Sequence, residues 1–239
     1  MNEVILFVFE GEKLEREIFK NLVEPYFSKT NKLRIQTVFC TDIYQLWQLL
    51  NDDEFLDLSE MLKERNPENA KALEGIERDQ IYQTFLFFDY DGHATKASDE
   101  RFKKMLFHFD NETELNKGKI YASYPMSESI KESLDQDFKN RTRPIKEGRK
   151  YKSYIDETTP FKNRIDKISD SDWKLICRAH LKKSRFLVTN HFDFEGDLPD
   201  QIDIFSKQQA KHIKPHGTVS VLSAFPCFLE DYFGSNFLS

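Results

Sequence analysis

The chain has 239 residues, with 35 Lys and Arg against 41 Asp and Glu and a formal charge of −6. That length suggests one large domain, or a domain with a small companion, and it is enough to bury a real core. The acidic balance argues against non-specific coating of nucleic acid, but it leaves room for a local basic groove.

Residues 4–9 are apolar and run into Glu10 and Gly11. A short apolar run ending at a turn signal reads as a strand buried on both faces. Leu14, Ile18, Phe19, Leu22 and Val23 follow at helical spacing, with Glu12 and Glu15 near the positive end of that helix. Residues 33–40 read as a second strand, and Ile43, Leu46, Trp47 and Leu50 mark a second helix. Residues 51–80 are strongly acidic and read as a helical insertion, either a solvated face or a contact surface for a basic partner. The third strand spans 84–88 and a turn spans 89–96. A helix covers 98–109 and a fourth strand 119–124, and Pro125 can open a further helix at its first position. The alternation of strands and helices predicts an α/β domain with a largely parallel sheet over 1–136.

Residues 137–239 read as a mostly helical half. It begins with a basic stretch that Pro144 and Gly148 make a loop: Lys139, Arg141, Arg143, Lys146, Arg149, Lys150 and Lys152. Helices are expected over 160–168, 171–187 and 200–212, and the aromatic tail 219–238 is expected to pack. Cys40, Cys177 and Cys227 are scattered, with no C-x-x-C pair, so neither a disulfide framework nor a thiolate zinc site is supported. No apolar run reaches membrane-spanning length and no secretory leader is visible, so a cytoplasmic protein without a membrane contact is expected.

Residues 85–93 repeat the logic of the first strand: Phe85-Leu86-Phe87-Phe88-Asp89-Tyr90-Asp91-Gly92-His93. Open α/β sheets bind ligands at the carboxyl ends of their strands. If the two strands share one sheet, Glu10, Asp89 and Asp91 meet there. Grouped carboxylates repel and raise one another's pKa unless something neutralises them. A hard cation such as Mg²⁺ or Mn²⁺ would do so, held by oxygen ligands and a substrate phosphate. On an extended segment Asp89 and Asp91 point the same way and can share one ion. Glu10 can hold a second ion or act as a base on water. The same Asp-x-Asp-Gly wording also occurs in ordinary turns, where Asp caps its own backbone.

The two acidic motifs resemble the Toprim fold, a Rossmann-like domain shared by topoisomerases, bacterial primases and OLD-type nucleases. The wording Glu10-Gly11-Glu12-Lys13-Leu14-Glu15 is similar to the RloB-like and abortive-infection Toprim proteins, and Tyr124-Pro125-Met126-Ser127-Glu128 looks like a segment of the same proteins. The resemblance covers roughly residues 4–134. It implies that Glu10, Asp89 and Asp91 hold the metal and that Glu128 is an additional catalytic acid. Glu12, Lys13, Glu15 and His93 occupy accessory positions.

The function implied is a metal-dependent endonuclease acting on DNA or RNA, tRNA included. It would be the toxic effector of an anti-phage system under the control of an ABC-type ATPase partner. The alternatives are a catalytically inactive Toprim-like binding subunit of such a complex, or a phosphatase using the same metal site. A homo-oligomer is compatible with the sequence. The basic residues Lys139, Arg141, Arg143, Lys146, Arg149 and Lys150 are the candidate nucleic-acid track, with Phe138 and Tyr151 able to stack on bases. The pair His212 and His216, and the alternating run 191–195, are weaker metal candidates, because Pro215 breaks a helix between the two histidines.

Overall fold

Val4–Phe9 form β1, and every one of its residues is buried. The computed structural model describes residues 3–28, 34–40, 43–52, 57–90, 98–114, 118–159, 161 and 164–238. β1 lies between β2 (Arg34–Phe39) and β3 (Ile81–Asp89), both parallel to it. β5 (Gly118–Ser123) adds parallel to β3, and the two-residue β4 (Asp110–Asn111) closes the edge antiparallel. The sheet order is β2-β1-β3-β5-β4. β1 and β3 therefore sit centrally, as their continuous apolar runs require.

Alternation along the strands puts Phe7, Phe9, Phe85 and Phe87 on one face. Two helical pieces from opposite ends of the chain cover it. Helix α1 (Leu14–Ile18) passes through a π turn (Phe19–Val23) into α2 (Glu24–Phe27), and Phe19 and Phe27 pack on Phe7 at 4.7 and 5.7 Å. Helix α11 (Ala224–Phe233) brings Phe225 to 4.7 Å from Phe87 and Phe228 to 4.9 Å from Phe85. The heavy use of phenylalanine is thus a core feature. One hydrophobic cluster contains residues from both sides of position 136, among them Phe7, Phe87, Phe205 and Phe228.

The insertion folds as α4 (Leu58–Arg65) and α5 (Pro67–Ala72), after α3 (Ile43–Asp52). Its buried Asn69 ties it to β2: Nδ2 donates to Phe39 O (2.7 Å) and Leu62 O (2.9 Å), and Oδ1 accepts from Phe39 N. Helix α6 (Asp99–His108) follows β3, and Phe102 packs at 4.9 Å on Phe205 of α9 (Gln201–Gln208).

Several local expectations give way to tertiary contacts. Tyr124-Pro125 is a cis peptide, and a 3-10 turn, Ser127–Lys131, follows it where an α-helix is expected. The basic stretch is not a loop throughout: β6 (Thr142–Pro144) pairs antiparallel with β7 (Thr218–Ser220), and α7 runs Gly148–Thr158. Gly148 opens that helix, a position where its lack of a side chain costs little. The long helix α8 (Asp170–Thr189) has Ser169 as N-cap and Asn190, at φ 68°, as C-cap. Pro215 does not break the helix before it. A π turn (Gln209–Ile213) leads straight into α10 (Lys214–His216), so the helical run passes through Pro215 and ends at Gly217, at φ 62°. Residues 191–195 are irregular rather than a strand. Among the described residues no helix is long and apolar enough to cross a membrane.

Candidate active site

The parallel register pairs Phe9 with Phe87, so the two chains leave the sheet together. Glu10 N donates to Phe87 O (3.2 Å), and the Asp89 amide donates to Glu10 Oε2 (2.9 Å). The Glu10 carboxylate is thus anchored on the backbone of Asp89, and the two carboxyl groups are close enough to repel. Asp89 pairs with Ser123 at the end of β5. The chain leaving β5 returns Ser127 to the same place: its N–H and its Oγ both lie 2.8 Å from Asp89 Oδ1.

Ser127 Oγ also lies 3.0 Å from Glu15 Oε1. Its single proton serves one carboxylate at a time, so the second contact requires a shared proton. Glu15 is buried at 6 % exposure, in the first turn of α1. A Cβ on Gly11 would stand 2.6 Å from Glu15 Oε2. Glycine at this turn is thus what lets the Glu15 carboxylate fold back over the end of β1. Glu128 completes the group. It is buried, and Lys152 from α7 ion-pairs with it at 3.2 Å. One turn further along α7, Asp156 meets the buried Lys131 at 3.4 Å, so two opposite charge pairs dock α7 on the 3-10 turn.

Electrostatics mark this as the strained point of the sheet edge. Burial pushes the Asp89 carboxyl well above its ordinary pKa. Glu10, Glu15 and Glu128 push it further, and the Ser127 hydrogen bond opposes them. Burial also raises Glu15, with Glu128 adding to the effect. Lys152 is raised, first by Glu128, with Asp156 and Glu15 adding. Four carboxyl groups thus gather at one place, with Lys152 paired to Glu128 alone among them, and their donors are all oxygen. That chemistry suits a hard divalent cation. Among the described residues, no group of three His, Cys, Asp or Glu side chains stands in ready metal-ligating geometry. Asp91 and His93 lie outside the described residues. The segment that carries them is bracketed by Tyr90, whose hydroxyl donates to Asp99 Oδ1 at 2.7 Å.

The remaining candidates scatter. Glu12 and Lys13 are exposed. Arg141 and Arg143 serve the fully buried Glu132 carboxylate at 3.3 and 2.8 Å, which also accepts from the Tyr151 hydroxyl (2.7 Å). Arg143 further stacks 4.0 Å over Tyr154. Lys139 lies over Phe186, Lys146 and Lys150 are exposed, and Arg149 lies on α7. His212 and His216 share a helical segment, half-buried and exposed respectively.

Two site residues carried no assignment from sequence. Ser127 had only its place in the Tyr-Pro-Met-Ser-Glu segment as a signal. Lys152 was one of seven basic residues, and only the helix beginning at Gly148 singles it out. Comparison with protein-family models, with curated proteins and with solved structures gave no match.

Proposed function

We propose that this chain is a Toprim-type, Mg²⁺- or Mn²⁺-dependent endonuclease, the effector of an anti-phage system governed by an ABC-type ATPase partner. One observation carries the catalytic part of this reading: Glu10, Glu15, Asp89 and Glu128 converge on one sheet edge, with Ser127 between two of them. A protein that only needed a stable fold would gain by removing such repulsion. The substrate class and the ATPase rest on the resemblance of the two acidic motifs.

Glu10 and Asp89 are the residues that would hold the cation, joined by Asp91. When bound, the cation would supply charge neutralisation and Lewis acidity toward a phosphodiester. The protein's own groups have separate tasks. Ser127 fixes one oxygen of Asp89 and so aims the other. Glu15 and Glu128 are placed to accept a proton from an attacking water. Lys152 brings a positive charge to the rim, where a substrate phosphate would arrive.

The second reading, an inactive docking subunit, draws on the internal satisfaction of these acids: Glu128 is already paired with Lys152 and Asp89 with Ser127. A cleavage assay separates the two. The protein, alone and with its ATPase, is incubated with tRNA, single-stranded DNA and plasmid in Mg²⁺ or Mn²⁺. Glu10→Ala and Asp89→Ala should each reduce cleavage about 100-fold or more. Cleavage that survives both substitutions sinks the assigned site. Absence of cleavage under all these conditions, with defence in cells unchanged by both substitutions, establishes the docking reading instead.

A further inference from the structure

A cavity of about 280 Å³ opens between the 3-10 turn Phe138–Asn140, the last turn of α8 and the π turn Gln209–Ile213. Its volume is close to the ~300 Å³ at which small-ligand sites begin. Lys139, Asn140, Phe186, Asn190, Lys211 and His212 line it, and among the described residues its lining has no carboxylate. In a chain with 41 acidic residues, a recess with two lysines and a histidine and no acid among its lining is a departure from the average surface.

These three basic side chains are held in different ways. Lys211 Nζ donates to Leu187 O and to Asn190 Oδ1 (2.7 Å for the latter), which caps the C-terminus of α8 and leaves a third N–H. Lys139 Nζ stands 5.1 Å over the Phe186 ring. His212 is half-buried, and its pKa is lowered first by burial, then by Lys183, Lys211 and His216. Burial, with Lys207 adding, lowers Lys211 as well. Burial is the larger cause of both shifts, and the neighbouring positive charges add to it. Helix capping accounts for Lys211 and the Phe186 ring for the seat of Lys139; neither accounts for His212 on the same recess. Three N–H-bearing groups lining one recess from two elements match the several oxygens of a phosphate better than the two of a carboxylate.

We propose that this cavity binds the phosphate group of a nucleotide, free or at the end of a nucleic-acid strand, through Lys139, Lys211 and His212. The site stands apart from the carboxylate cluster in its residues and does not depend on the nuclease reading.

Binding is measured by calorimetry on the Asp89→Asn protein in EDTA, so that catalysis plays no part. The probes are inorganic phosphate, adenosine 5′-monophosphate, and a tetradeoxynucleotide with and without a 5′-phosphate. The phosphorylated probes should bind, and the unphosphorylated strand should bind about tenfold or more weakly. Lys139→Ala and His212→Ala should each weaken phosphate-probe binding about tenfold, with melting midpoints confirming that both variants are folded. Tighter binding of the phosphorylated strand than of the mononucleotide supports a strand end as the natural ligand; equal affinity supports the free nucleotide. No saturable binding of any phosphorylated probe, or binding unchanged in both folded variants, overturns the proposal.

Discussion

The carboxyl of Asp89 stands among Glu10, Glu15 and Glu128, and burial and these neighbours raise its pKa. The folded chain therefore holds a proton there more tightly than the unfolded chain, whose Asp titrates at about 3.9. Between that pKa and the raised one the folded state binds more protons, so stability falls as pH rises through the window. Asparagine keeps the oxygen that accepts from Ser127 and removes the charge. Asp89→Asn should thus melt above the parent protein at pH 7 without divalent ions, and the difference should shrink as pH approaches 4. Added Mg²⁺ should raise the parent's melting point and narrow the gap. A variant that melts below the parent at pH 7 would contradict the electrostatic account. Gly11 shows the same coupling at one residue: sequence suggests a glycine for the turn, whereas the tertiary reason is the Glu15 carboxylate 2.6 Å from where a Cβ would stand.

Among the elements, the acidic insertion is integrated by one buried amide. Asn69 answers both backbone groups of Phe39 and the carbonyl of Leu62. Asn69→Ala would strand these groups in the interior. It should cost about 2–4 kcal/mol in urea unfolding and speed hydrogen exchange at the end of β2. Nothing in the run of acids around Asn69 announces this, because a side-chain amide bridging two segments leaves no periodic trace. Helix α7 makes the same point. Its sequence, with Gly148 ahead of Tyr151 and Ile155, hides a helix whose burial comes from Glu132 and from the 3-10 turn. The strands, in contrast, announce themselves. Runs rich in apolar residues locate β1, β2, β3 and β5 to within a few residues, and at β1 and β3 the run ends in an acid.

For the whole molecule, the two ends of the chain are one packing unit. Helix α11 covers the sheet face that α1 and α2 begin to cover, and α8 is joined to α11 by the Arg185–Glu230 pair. Arg185 donates to both Glu230 oxygens, at 2.9 and 2.7 Å, with the two side chains 3 % and 6 % exposed. Removing one partner leaves a buried charge. Arg185→Met should cost about 3–5 kcal/mol, whereas the double change Arg185→Met with Glu230→Leu should recover a large part of it. Urea unfolding of the two variants beside the parent measures this, and equal losses in both would show that the pair is not what joins these helices.

The sequence by itself determined the α/β alternation, the burial of β1 on both faces, and, on the condition that β1 and β3 share a sheet, the meeting of Glu10 with Asp89. Each follows from local runs of apolar residues and from the chain's exit at a strand end. Only the tertiary structure decided that Glu15 and Ser127 join that pair, that Lys152 rather than Arg141 or Arg143 faces it, and that the aromatic tail closes the core. Those outcomes depend on contacts between residues up to a hundred or more positions apart, such as Ser127 with Glu15 (112 apart). Local propensity carries no record of such distances, because burial and charge are settled only when the segments meet.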